Sequence, residues 1–386
     1  MSADIHVDID STSHEHSPDH LAAVRLLGLS ALGSRRLLSL IRHDRPVDLV
    51  TAILAGRVVG RFSDFASTWR AELERDLVDR TDERLVQCLA DTRVVLIGDE
   101  SYPERLRHDL DPPPVLFVRG DLHRIGSLGV AVVGTRHTTE YGRTVASELG
   151  RDLALAGVDV VSGLALGVDA AAHRGVLAAR QIGSDGHGVP IGVVASGLDV
   201  IYPRANGGLW KAVADAGLVV GESPPGTAPD RFRFPLRNRI IAALARVVVV
   251  VESRASGGSM ITVDEALKRD VPVMAVPGAT TTRASDGTNR LLRDGALVAT
   301  SVDDVLAVLG LEAIGSSRCV RDLRVTPRGV DAEVLSVFGA SPLDLDHVVG
   351  ACAPRSLGEV ALSLGRLESW GWLRNTSGWF EKIWST

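Results

Sequence analysis

Four arginines (Arg231, Arg233, Arg237 and Arg239) fall within nine residues of the stretch PDRFRFPLRNRI, with Phe232 and Phe234 interleaved and only Asp230 alongside. Guanidinium groups grip phosphates, and aromatic faces stack on unpaired bases. An arginine cluster with a purely structural job needs carboxylates nearby, and the local sequence supplies almost none. The stretch therefore reads as a nucleic-acid contact, although Arg239 could instead brace the loop. Three further groups of residues sit where a strand hands over to a helix. Gly134-Thr135-Arg136 follows the apolar run 130–133, Ser162-Gly163-Leu164 follows the run 158–161, and Arg204, Asn206 and Lys211 cluster after IGVVAS. Small residues at such turns let an anion approach backbone amides, and Arg136 adds a bidentate contact. Gly258 and Ser259, in the Gly-Gly-Ser turn before ITVDEALKR, form a second cradle of this kind.

The elements that must hold these groups follow from periodicity. The runs 130–133 and 158–161 are rich in β-branched residues and read as strands buried on both faces. Between them, from Tyr141, the residues Val145, Leu149, Leu153 and Leu155 recur at mostly helical spacing until Gly157 stops the helix. Strand, turn, helix, repeated, is the grammar of a doubly wound, mostly parallel sheet, whose ligands bind at the carboxyl ends of the strands. The run 247–251 is the most apolar of all and reads as a central strand. Two shorter strands, 94–97 and 115–118, flank a segment in which Pro112, Pro113 and Pro114 force extended backbone.

Rival chemistries are weaker. A dinucleotide cofactor needs G-x-G-x-x-G, yet the first turn reads G-T-R-H-T-T, and Ser162-Gly163 stands where a ribose-binding carboxylate belongs. NAD is excluded and no cofactor is expected. Asp169 and His173, one helical turn apart, are the best catalytic candidates, but such a pair falls short of any metal set and Asp169 suits a local cap. A nucleotide hydrolase resembling the nucleoside-monophosphate phosphoribohydrolases would need P-G-G-x-G-T-x-x-E. GGSMITVDE offers Thr262 and Glu265 with one residue too many and no leading proline.

The motifs VVGTRHTTEYG, SGLALGVDAAAH, ASGLDVIYPRAN, GESPPGTAP, FPLRNRIIAALARVVVVVES, GGSMIT and VPGATTTRASDGTNRLLRDGA follow one another in an order that resembles the bacterial DNA-processing protein A family (DprA, also called Smf). The resemblance implies a non-catalytic protein that binds single-stranded DNA and helps load the RecA recombinase, as in recombination during natural transformation. It also implies an extended Rossmann arrangement and a homodimer through that domain, with a RecA contact near it. On this reading Gly134, Thr135, Arg136, Ser162, Gly163, Arg204, Asn206, Phe234, Arg237, Asn238, Arg239, Gly258 and Ser259 line one pocket at the carboxyl edge of the sheet. Phosphates would lie on amides and arginines, and a base or two against Phe234.

Bulk properties agree with such a local site. The chain has 386 residues, enough for two or three domains, and its net charge of −6 means that any nucleic-acid site must be a local basic patch. Three scattered cysteines (Cys88, Cys319, Cys352) without C-x-x-C fit a reducing cytoplasm. No apolar run approaches the length of a membrane span, so a cytoplasmic protein without membrane attachment is expected. The domain plan expected is a disordered tail at 1–18 and a helical module at 19–92, then the extended Rossmann domain at 93–311, a linker at 312–325 and a winged-helix domain at 326–386. The tail's His6, His14 and His16 lack a fixed frame for a metal. In the module, Gly28, Gly33, Arg35 and Arg36 admit a helix-hairpin-helix that faces a phosphate backbone, though a plain bundle packed on the main domain is preferred. The third helix of the tail domain should bury Val360, Leu364 and Leu367 and expose a mixed-charge face, which suits a protein contact better than DNA.

Overall fold

A computed structural model of the chain describes residues 16–57, 60–89, 91–125, 128–182, 186–311, 325, 327–338, 342–376 and 378–383. The N-terminal tail as far as residue 15, nearly all of the expected linker, Cys319 and the hairpin residue Ser377 lie outside the described residues. The chain divides into two compact units, Met1–Ile314 and Gly315–Thr386.

The first unit begins with α1 (Pro18–Leu27), α2 (Gly33–Ile41), α3 (Pro46–Leu54), α4 (Ala66–Asp79) and α5 (Asp82–Cys88). It continues with β1 (Arg93–Leu96), α6 (Glu104–Arg107), β2 (Val115–Gly120), β3 (Gly129–Val133), α7 (Glu140–Leu155), β4 (Asp159–Ser162), α8 (Val168–Ile182) and β5 (Pro190–Val193). Then come α9 (Gly207–Ala216), β6 (Leu218–Gly221), α10 (Arg233–Leu244), β7 (Val247–Val250), α11 (Gly258–Leu267), β8 (Val273–Ala275), α12 (Asp286–Arg293), β9 (Leu297–Val298) and α13 (Val302–Val308). The nine strands form one sheet in the order β1-β2-β6-β5-β4-β3-β7-β8-β9, parallel from β6 to β9, with β1 and β2 added antiparallel on the β6 side. This is the doubly wound α/β sheet expected from the strand-helix alternation, and β7 is central between β3 and β8. Chain order reverses direction across the sheet between β3 and β7, the kind of switch point at which such sheets bind ligands.

Alternation along a strand decides which helices cover which face. On β3, Val130 and Val132 pack with Leu149 and Leu153 of α7 and with Ala172 and Val176 of α8, while Ala131 and Val133 face Ile240 to Leu244 of α10. Toward the β1 edge, Val94, Leu96, Val115, Phe117 and Val219 share a core with Leu26, Leu37, Trp69, Leu73 and Leu85 of the helical module. The module is thus packed on the sheet, as the plain-bundle reading has it. The two arginines beside the candidate hairpin contact protein: Arg35 pairs with Asp111 at 2.9 Å, and Arg36 lies over the Phe65 ring.

The second unit holds α14 (Val330–Ser336), β10 (Leu343–Asp344), α15 (Leu345–Ala351), α16 (Leu357–Ser369), β11 (Leu373–Thr376) and β12 (Trp379–Lys382). Three helices enclose Val334, Val348, Val360, Leu364 and Leu367 against the small antiparallel sheet β10-β12-β11. Arg366 is held by Asp331 at 2.6 Å and Arg355 by Glu333 at 2.9 Å, so the cations beside α16 are tied within the unit.

Candidate nucleic-acid interface

The turn after β3 is built by a carboxylate that the sequence motifs do not single out. Glu252, just past the end of β7, is buried and accepts hydrogen bonds from the Thr138 hydroxyl at 2.7 Å, the Thr139 amide at 2.9 Å and the Thr139 hydroxyl at 2.6 Å. Its own carbonyl accepts from the Thr135 amide at 2.7 Å. Gly134 is required by this close approach, since a Cβ there would stand 2.7 Å from that same carbonyl oxygen and 2.6 Å from Val168. The loop is therefore pinned at its base while Arg136 projects outward, exposed.

Arg136 lies over the ring of Phe234, 5.0 Å from its centroid, and Phe234 in turn meets Tyr202 with centroids 5.8 Å apart. Three loops, after β3, after β5 and at the start of α10, thus converge on one cationic and aromatic cluster beside the β3/β7 switch point. Tyr202 is 42% exposed and Phe234 half-buried, so both rings present surface to solvent. Arg204 is exposed two residues on, and Phe232, 57% exposed, carries the Arg233 guanidinium 4.9 Å from its ring. Beside this rim a cavity of about 360 Å³ opens between the α1–α2 turn and α10, lined by Leu29, Ser34, Glu222, Phe232, Arg233 and Leu236 among others.

The remaining expected contacts lie beneath this rim, engaged with protein. Arg237, expected on phosphate, is buried, and its guanidinium donates to the carbonyls of Gly163 (2.8 Å) and Val193. Burial lowers its pKa to about 10, with the Asp169 carboxylate opposing the shift and Arg136 adding to it. Arg239 is buried against Glu222 and the Asp111 carbonyl, which is the bracing role admitted for it. Ser162 is fully buried and donates to the Val132 carbonyl at 2.7 Å. Asn206 ties down the β4–α8 turn through the carbonyls of Leu164 (2.9 Å) and Ala165 (3.1 Å). Asn238 donates to the Gly258 carbonyl at 3.4 Å, and Ser259 to the Ser253 hydroxyl at 2.8 Å.

Two of the backbone amides expected to cradle phosphate are likewise engaged. The Thr135 amide is held by Glu252, and the Gly163 amide donates to the Asp169 carboxylate at 3.1 Å. A Cβ at Gly163 would lie 2.6 Å from the Arg237 guanidinium, so this glycine makes room for an arginine inside the protein. The end of α11 differs: Gly258 is exposed with open space around it, and that helix start has no side-chain cap.

Asp169 and His173 form the floor. Burial raises the Asp169 pKa, opposed by Arg237 and by the amides of Ala165 and Gly163. His173 is fully buried, and burial lowers its pKa to about 4, with the nearby Ser162 backbone opposing the shift; neither ring nitrogen reaches a partner within hydrogen-bond geometry. Its folded value lies below the ordinary 6.5, so the stability of the neutral ring is whole above about pH 6.5 and is lost as pH falls toward 4. Complete loss amounts to about 3 kcal/mol. Urea unfolding at a series of pH values should show this acid destabilisation shrinking by that amount in His173→Leu; an unchanged pH profile would contradict it. Among the described residues no group of His, Cys, Asp or Glu is arranged to hold a metal, and no helix is long and apolar enough to cross a membrane.

The chain has matches among known families and solved structures. The family model described as DNA recombination-mediator protein A matches residues 93–310, more than half of the chain. DNA processing protein DprA of Streptococcus pneumoniae is 41% identical over 211 residues, 55% of this chain and 72% of its own. The X-ray structure of DprA from the same species superposes with a TM-score of 0.61 at 30% identity, covering 76% of this chain and 98% of the other. The Helicobacter pylori DprA structure, described by its single-stranded DNA binding mode, has a TM-score of 0.50 at 31% identity and covers 56% of this chain and 95% of the other. An extended sheet with its switch point at β3/β7, these motifs in order and these relatives together make the chain a member of the DNA-processing protein A family.

Proposed function

We propose that this chain binds single-stranded DNA along the carboxyl edge of its parallel sheet and holds it without chemical change. The observation that carries the reading is the cluster of Arg136, Phe234 and Tyr202, which sets an exposed guanidinium beside two solvent-facing rings. Unpaired bases have faces free to stack on such rings, whereas the bases of a duplex do not. The single-strand binding of the Helicobacter pylori relative supports the choice of ligand. In its finer form the proposal is a cytoplasmic homodimer that protects incoming single strands and loads RecA in recombination during natural transformation, in line with the recombination-mediator description of the family. Two protomers side by side would add avidity to a site that grips few nucleotides. The second unit, with its α16 cations tied to carboxylates, serves as a protein-contact module rather than a DNA reader.

The hydrolase reading is disfavoured by Glu265, whose carboxylate is held by Lys268 at 2.7 Å and Arg269 at 2.6 Å. Asp169 and His173 are both buried, which denies a substrate access to them. The deciding experiment is a gel-shift series with single- and double-stranded oligonucleotides of one sequence. The single strand should bind more tightly at equal salt, and equal or tighter duplex binding would overturn the reading. Release of free base from nucleoside monophosphates would restore the hydrolase.

A further inference from the structure

Arg136 and Arg204 belong to the β3 and β5 side of the switch point, yet exposed cations continue across it. Arg254 follows β7 and Arg283 follows β8, in the short 3-10 turn Arg283–Ser285; both are exposed. Neither forms an ion pair among the described residues, although acidic groups outnumber basic ones in the whole chain, 48 to 42. Their neighbours on α12 behave differently: Arg290 and Arg293 are both tied to Asp294. Asp286, exposed in the first turn of α12, is the one acid close to Arg283 in sequence, and Glu252, beside Arg254, is buried and bonded to the β3 turn.

The two turns that carry Arg254 and Arg283 are locked together. The Gly287 amide donates to the Ser253 carbonyl at 2.7 Å, and a Cβ at Gly287 would stand 2.6 Å from the Arg254 carbonyl oxygen. Asn289 clamps the start of the β8 loop by donating to the Gly278 carbonyl at 3.0 Å and accepting from its amide at 3.2 Å. A backbone frame braced this closely, with two unpaired arginines on its exposed side, is a fixed cationic step.

We propose that the bound strand crosses the switch point at right angles to the β-strands and continues onto this step, where Arg254 and Arg283 take its phosphates. The proposal rests on the single-stranded DNA reading and extends it to a second contact region of the same polyanion. From β5 to β8 are four strand spacings, about 19 Å. At roughly 3.4 Å per stacked nucleotide the whole track takes about six nucleotides, so an oligomer of about four residues cannot occupy all of it, although β3 and β7 are adjacent and its end can reach Arg254 from Arg136.

The test measures fluorescence anisotropy of labelled oligothymidylates of about four and about twelve residues against the full chain and its R254A/R283A variant, over a range of salt. For the longer oligomer the variant should lose about tenfold or more in affinity, and its log–log salt dependence should flatten by about 1.4, the value for two phosphate contacts on a single strand. For the shorter one, which can seat on Arg136 and Arg204 without covering the whole step, the loss should be clearly smaller. Unchanged affinity and slope on the longer oligomer overturn the second step. Equal losses on both lengths also overturn it, by placing these arginines in the first region. If the unaltered chain binds neither oligomer, the single-strand reading itself fails, which is a different result from a variant that binds as well as its parent.

Discussion

Replacing Arg136 and Arg204 together with alanine should lower single-strand affinity by more than a hundredfold while leaving the fold intact. Each exposed guanidinium offers a charge-assisted hydrogen bond worth about 1.5–3 kcal/mol, and two such losses add because the side chains stand on separate loops. Two fewer phosphate contacts should also flatten the log–log salt dependence by about 1.4. Neither residue pairs with a carboxylate among the described residues, so the stability cost is confined to the stacking of Arg136 on Phe234, about 0.5–1 kcal/mol. Phe234→Ala separates the two components of binding. It removes a stacking platform worth about 1–3 kcal/mol per base and should leave the salt slope where it was. Equilibrium binding at several salt concentrations distinguishes the cases. A double arginine variant with the parent's affinity and slope would remove the cationic and aromatic rim from consideration as the strand's seat.

The sequence was most legible where its signals are local. β-branched runs between small-residue turns marked β3, β4, β5 and β7, and the alternation of strand and helix gave the doubly wound sheet. β6, Leu218–Gly221, carries no clear signal because three apolar residues between Gly217 and Gly221 give too little periodicity to distinguish strand from loop, yet it joins the antiparallel pair β1-β2 to the parallel sheet. The residues expected in one pocket differ in depth: Arg136 and Arg204 are exposed, whereas Arg237 and Arg239 are buried. Arg237 and Arg239 looked unpaired because only Asp230 lies near them in sequence, whereas their partners come from afar: the carbonyls of Gly163 and Val193 for one, Glu222 and Asp111 for the other. The helix explains this. α10 already begins at Arg233, so the residues at 237 to 239 occupy its second turn and are carried down against the sheet, while Phe232 and Phe234 stay at its start. Tyr202 and Glu252 were missed for the opposite reason, since a single tyrosine or glutamate at a strand end carries no spacing signal until the fold brings it to a partner.

Arg237→Leu should therefore reveal itself first in stability and only second in binding. The guanidinium is buried, donates to two strand-end carbonyls and offsets the buried Asp169 carboxylate, so its removal leaves acceptors unpaired and an anion uncompensated. Breaking such an arrangement by deleting one partner costs about 3–5 kcal/mol, a large share of the stability of a typical domain. Without the cation the Asp169 pKa, already raised by burial, moves higher still. A carboxyl group whose folded pKa exceeds its unfolded one gives stability that is whole below the unfolded value and is lost as pH rises through the folded value. The variant's deficit should accordingly grow from acid toward neutral pH and shrink when Asp169→Asn is added, because a neutral amide no longer needs the cation. Urea midpoints of the two variants and the parent across pH read this directly. An Arg237→Leu protein as stable as its parent but defective in DNA binding would return this side chain to the strand's surface and displace the assignment made from its buried contacts.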